Sequence, residues 1–146
     1  MDLRPYQPSD RASCLAVFDS LPPDTADAAA RRRFEAFLDH PAGPYFLIDH
    51  DDAVVGCGGF SLEQNESTAT LHWGMIRSDS RKLGLGRFLL LYRIREISKA
   101  GNFQLLRVET PPASAPFFQK QGFREKQGFR QFQNTLQLIK KLTVCP

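Results

Sequence analysis

An extended run, Thr70-Leu-His-Trp-Gly-Met-Ile76, passes through Arg81-Lys82-Leu83-Gly84-Leu85-Gly86 into a long apolar segment from Arg87 to Ala100. This succession of strand, glycine-bearing loop and helix start constrains the fold more than any other stretch. The first turn of a helix has N–H groups without intrahelical partners, and its dipole favours negative charge. Glycines let a phosphate come close to the backbone. The loop is therefore a candidate anion site. A capped surface turn would use the same glycines, so the loop alone decides little.

The flanking chain reads readily. Asp2–Tyr6 is expected to be a short strand, with Ser9 as N-cap of a helix ending near Leu21. The stripe Cys14, Val17, Phe18, Leu21 follows helical spacing, and Pro22-Pro23 stops it. Thr25 is read as the cap of a second helix, with Ala30, Phe34, Phe37 and Leu38 on one face and Arg31–Arg33 towards solvent. After the turn-rich His40–Pro44 come three strands in a meander, Tyr45–His50, Ala53–Gln64 and Thr68–Arg77. The helix from Gly84 to Ala100 is apolar on more than one side, as expected of one packed deep against a sheet. Gly101-Asn102 ends it. Then follow a strand at Phe103–Thr110, a short helix at Pro112–Gln121, and strands near Phe123–Gly128 and Phe132–Leu142. Lys120–Arg124 and Lys126–Arg130 are the same five residues, which at six residues apart is no repeat architecture.

At 146 residues the chain fits one domain, 1–146, with a sizeable core. No stretch reaches the roughly 20 apolar residues of a membrane span, and Met1–Tyr6 does not read as a signal peptide. The three cysteines, Cys14, Cys57 and Cys145, form neither a metal pattern nor a disulfide framework, which suits a reducing cytoplasm and no metal. Charge is lopsided: residues 1–73 hold 5 Lys/Arg against 12 Asp/Glu, residues 74–146 hold 14 against 4. A basic half suits a polyanionic ligand. Nucleic acid is disfavoured, because the interleaved exposed aromatics and recognition motifs of such proteins are missing.

The order R-x-x-G-x-G at 81–86, together with Pro116-Phe-Phe-Gln-Lys-Gln-Gly-Phe123, resembles the pyrophosphate loop and the F-(F/Y)-x-K-x-G-F helix end of the GNAT N-acetyltransferase family. The element order β-α-α-β-β-β-α-β-α-β-β resembles that family over nearly the whole chain. The resemblance implies an α/β fold, a mixed sheet of about seven strands splayed in the middle with about four helices. It also implies acetyl-CoA as co-substrate and an amine acceptor, and many members dimerise. In such a fold the pantetheine would lie along the backbone of Gly74, Met75 and Ile76, with Gly74 suited to a local bulge. Backbone N–H groups of Arg81, Lys82, Leu83, Gly84, Leu85, Gly86 and Arg87 would wrap the pyrophosphate, and Phe118 would lie at the cofactor.

Two side-chain roles depart from the family pattern. The Tyr that protonates the leaving thiolate in many members aligns with Phe118, and the carboxylate of histone-type members aligns with Thr70. Period-2 alternation places Thr70, His72 and Gly74 on one sheet face and Leu71, Trp73 and Met75 on the other. His72 is thus the substitute general base, its imidazole having an ordinary pKa of about 6.5. A pocket-lining or core histidine would satisfy the same pattern. Glu109, ending its strand beside the splay, is the second candidate, and Glu63 and Glu66 could act through water. Cys57 reads more readily as a small buried filler than as a nucleophile. A non-catalytic acyl-CoA-binding module of the same fold is the alternative to an enzyme.

Overall fold

The computed structural model describes residues 2–81, 83–126 and 135–142. Strands β1 (Asp2–Pro5), β2 (Tyr45–His50), β3 (Ala53–Glu63), β4 (Thr68–Ile76), β5 (Leu105–Thr110), β6 (Arg124–Glu125) and β7 (Leu136–Lys141) form one mixed sheet in the order β1-β2-β3-β4-β5-β7-β6. Helices α1 (Arg11–Asp19), α2 (Ala28–Asp39), α3 (Leu85–Ala100) and α4 (Ala115–Lys120) cover it. Among the described residues only β4 and β5 run parallel, joined by α3 as crossover. The architecture is the one expected. Residues 127–128 and 132–134 of the expected last two strands, and the second copy of the duplicated segment from 127 onward, lie outside the described residues.

Two apolar layers sandwich the sheet. On one face Cys14, Val17 and Phe18 of α1 and Phe34 and Leu38 of α2 pack on Tyr45, Leu47, Cys57 and Met75. On the other, Leu90 and Ile97 of α3 and Phe118 of α4 pack on Phe46, Phe60, Leu71 and Val108. Each such side chain contributes about 1.5–3 kcal/mol by leaving water, so the sheet is pinned from both sides. α1 and α3 are fixed by this burial more than by caps.

The helix starts differ from the expected ones. Pro8 opens a 3₁₀ turn at Pro8–Asp10 that absorbs Ser9, and α1 begins only after it. Asp10 instead accepts from Gln7 N at 2.9 Å and pairs with Arg4, also at 2.9 Å. Thr25 is likewise held in a turn, its N–H donating to Pro22 O. The cap of α2 is Asp27, whose carboxylate accepts from Ala30 N at 2.7 Å. A carboxylate at the cap also suits the helix dipole.

Candidate functional site

β4 is paired with β3 as far as Ile76, but its ladder to β5 runs only from Thr68↔Leu105 to Leu71↔Val108. Both strands continue beyond, so a gap opens between them. His72 and Glu109 are the first residues past the last ladder pair and flank the start of that gap. Glu109 is exposed, whereas His72 is half-buried.

A bulge interrupts β4 inside the gap. Between the pairs Gly59↔His72 and Cys57↔Met75, β4 has one residue more than β3. The left-handed residue of the bulge is Trp73 (φ 45), not Gly74, which has no positive φ. The extra residue breaks strict alternation. His72 meets Phe37 of α2, and Trp73 meets Phe34 of α2 and Phe18 of α1, so both face the α1–α2 layer. Gly74 turns to α3, contrary to the expectation that it shares a face with His72. Its glycine identity has another cause: a Cβ there would stand 2.8 Å from Arg93 Nη2.

Gly84 holds φ 75 at the helix N-cap, a conformation unfavourable for residues with a Cβ, and a Cβ there would point into open space. Its carbonyl accepts the first helical bond, from Phe88 N at 3.0 Å. The N–H groups of Leu85, Gly86 and Arg87 precede that bond and match the orphan donors of a helix start. Gly86 serves packing, because a Cβ there would come 3.3 Å from the Phe117 ring. Arg81 is exposed, as is Leu83. Lys82 lies outside the described residues.

A row of polar side chains crosses the α1–α2 face beside the gap. Ser61 Oγ on β3 lies 2.7 Å from His72 Nε2. Arg107 Nη2 on β5 donates to Glu63 Oε1 at 2.7 Å and to Thr70 Oγ1 at 3.1 Å. Burial lowers the His72 pKa, Arg93 and Arg107 lower it further, and Glu63 opposes them. The imidazole is therefore neutral at physiological pH. Glu66 lies exposed in the Gln64–Glu66 turn. Phe118 is buried, edge-on to Phe117 and Phe123, and has no hydroxyl to offer. Cys57 is fully buried, and contact with it, reinforced by burial, pushes the Cys14 thiol well above its usual range.

Sequence reasoning passed over Ser61, Tyr45 and Arg93. Arg93 was the legible one. It falls four residues after Leu89 and four before Ile97, both essentially inaccessible, so a charged residue occupies the buried stripe of α3.

Among the described residues, no group of three or more His, Cys, Asp or Glu could hold a metal ion, and no helix is long and apolar enough to cross a membrane.

A sheet splayed between two parallel strands, with a glycine loop and helix start beyond the open strand, defines the acyl-CoA N-acyltransferase fold. The sequence matches the acetyltransferase (GNAT) family over residues 14–123, and the chain belongs to that family. Among solved structures it is similar to the ribosomal-protein-S18-alanine N-acetyltransferase of Escherichia coli, with 15% identity, TM-score 0.74 and coverage of 99% of this chain and 96% of that one. The PaiA N-acetyltransferase of Thermoplasma acidophilum, in complex with coenzyme A, aligns at 13% identity and TM-score 0.74, covering 97% and 98%. The ribosomal-protein-alanine N-acetyltransferase of Brucella melitensis aligns at 21% identity and TM-score 0.66, covering 97% and 100%. Nothing among curated proteins matches the sequence.

Proposed function

We propose that this chain transfers the acetyl group of acetyl-CoA directly to a primary amine of a small molecule or a protein. The observation that carries this is the unpaired edge of β4 beyond Leu71, leading directly into the Gly84 loop and the start of α3. The open edge offers backbone groups of Gly74, Met75 and Ile76 to the pantetheine amides, and residues 81–87 offer N–H groups to the pyrophosphate. Membership of the family and the coenzyme A complex of the PaiA enzyme support the same ligand.

Transfer needs a neutral amine, donors for the oxyanion and a proton for the thiolate. The amine nitrogen attacks the thioester carbon, and as the C–N bond forms the carbonyl π pair moves onto oxygen; the C=O then re-forms and the C–S electron pair leaves on sulfur. Of Met75 and Ile76, the latter suits the oxyanion: the Arg77 N–H donates to Val55 O on β3, so by alternation the Ile76 N–H faces the gap. His72, neutral and joined to the Ser61 hydroxyl, is the base. The hydroxyl can relay the amine proton, passing its own to Nε2 as it takes the new one. Glu109, on the opposite lip of the gap, attracts a cationic amine before it is deprotonated. With Phe118 lacking a hydroxyl, water returns the proton to the thiolate.

A second reading is an acyl-CoA-binding module without turnover. It is favoured by the engagement of Thr70 with Arg107 and by Phe118, which leave both family side-chain roles unfilled. Thiol release from acetyl-CoA, measured against a panel of amines and peptide N-termini, separates the two. Amine-dependent release supports the enzyme; tight coenzyme A binding with no release by any acceptor supports the module.

A further inference from the structure

Arg93 is 3% exposed, and its guanidinium lies against Gly58 and Gly59 of β3 and Gly74 of β4. Nη1 donates to Gly59 O at 3.3 Å and Nε to Leu89 O at 3.4 Å, both long. Two glycines on neighbouring strands clear the slot it occupies. A Cβ on Gly74 would stand 2.8 Å from Nη2, and one on Gly58 would stand 3.4 Å from Cζ and 3.1 Å from Gly74 Cα. No carboxylate among the described residues pairs with it. Burial pulls its pKa down to about 10, so it remains charged at neutral pH.

A buried charge answered only by carbonyl dipoles is unfavourable for folding, and an apolar side chain of the same volume is commonly neutral or better there. The rest of the α3 stripe, Leu85, Leu89 and Ile97, is apolar. Stability therefore does not account for an arginine at this place, whereas the chemistry next to it does.

We infer that Arg93 is a positioning residue for acetyl transfer, wedged beneath the Trp73–Gly74 bulge to hold the open edge of β4 and to place a fixed positive charge under the acyl group. This role rests on the transfer reaction proposed above. As the amine lone pair forms the C–N bond, the carbonyl π pair moves onto oxygen. When the C=O re-forms, the C–S pair leaves on sulfur, the amine proton passes to the base, and the thiolate is protonated by water. Negative charge thus grows first on oxygen and then on sulfur, and a preset cation in a poorly screened interior favours both.

The same charge helps to keep His72 neutral. The groups facing His72 are Ser61 and Glu63 from β3, Arg107 from β5, the uncharged Phe37 of α2, and Arg93 from beyond the sheet. Of these only Glu63 favours protonation.

The test is a comparison of R93M, R93Q and R93K in the full chain. R93M is expected to melt at or above the wild-type temperature, to keep its coenzyme A affinity within about threefold, and to lose roughly 10–100-fold in kcat. The His72 imidazole, followed by NMR, titrates at higher pH in R93M, a change that a purely packing role would not cause. R93K, which keeps the charge, retains most of kcat. R93M with wild-type kcat and an unmoved His72 titration overturns the role of Arg93 alone. Should R93M not fold, R93Q slower than R93K upholds the inference and equal rates overturn it. Wild-type protein that binds coenzyme A yet releases no thiol with any amine overturns the transfer reaction, and this role with it.

Discussion

The Tyr45 hydroxyl donates to the carbonyl oxygen of Trp73 at 2.8 Å, so β2 reaches across β3 to hold the bulge of β4. Gly59, the register partner of Tyr45, leaves the ring its passage. Trp73 is in a left-handed conformation that costs on the order of 1–3 kcal/mol for a residue with a side chain. The Tyr45 bond and ring contacts with Phe34, at 5.0 Å, and Phe18, at 6.4 Å, oppose that strain.

Tyr45→Phe should therefore destabilise the fold by about 1 kcal/mol, because a partly buried carbonyl loses its donor. Urea unfolding measures this, and amide exchange at Gly74 and Met75 should quicken at the same time. Unchanged stability and unchanged exchange would mean that the bulge holds itself.

At Gly84, Gly84→Asn and Gly84→Asp form a matched pair. Both residues tolerate a left-handed backbone, and both side chains enter open space, so they differ in charge alone. An added carboxylate beside a pyrophosphate should cost on the order of 1 kcal/mol more, a several-fold weaker coenzyme A affinity that shrinks with added salt. Calorimetry giving equal affinities for the pair at low salt would place the phosphates elsewhere.

The elements themselves were legible because hydrophobic period and turn residues are local signals. The order of strands and helices and the Gly84 loop followed from them, whereas the gap beside β4 was implied only by the family resemblance. Side-chain direction after His72 was not legible, since one inserted residue inverts every later position of a strand, and nothing in Trp73-Gly74 says which of the two takes the positive φ. The caps at Ser9 and Thr25 failed for a similar reason: Pro8 and Pro22 initiate turns that compete for the same residues. Arg107 could not be foreseen as a partner of Thr70, because that pairing depends on the parallel register of β4 and β5.

The polar row makes opposing predictions for His72. Glu63 raises its pKa, whereas Arg107 lowers it. Glu63→Gln should move the imidazole titration to lower pH and Arg107→Met should move it to higher pH, while stability changes by only about 1 kcal/mol for so accessible a pair. NMR titration of His72 reads both. Shifts of the same sign in the two variants would show that the electrostatics of the row are not pairwise.

His72 itself couples stability and rate to pH. Its pKa in the folded chain lies below the ordinary 6.5, with burial the largest cause. Above 6.5 both folded and unfolded chains hold it neutral, and it gives no pH dependence. As pH falls below 6.5 the unfolded chain takes up the proton first, so stability declines until the folded imidazole protonates too, at up to about 1.4 kcal/mol per pH unit. Asp10 and Asp19, held low by Arg4 and Arg31, lose their contributions only at more acid pH. His72→Gln should therefore flatten the stability curve in the window just below 6.5 and leave the acid limb intact. If the imidazole is the base, kcat/KM is already on its plateau at pH 7 and falls on acidification in a limb of its own, as the folded imidazole takes up its proton. His72→Gln should then lower kcat by roughly 10²–10⁴-fold and abolish the limb, with coenzyme A affinity retained. Ser61→Ala, which removes the relay hydroxyl, should produce a smaller loss in kcat. A rate profile for wild type that stays level down to the onset of unfolding, with His72→Gln as active as wild type, would move the base to Glu109, whose Glu109→Gln variant then becomes the inactive one.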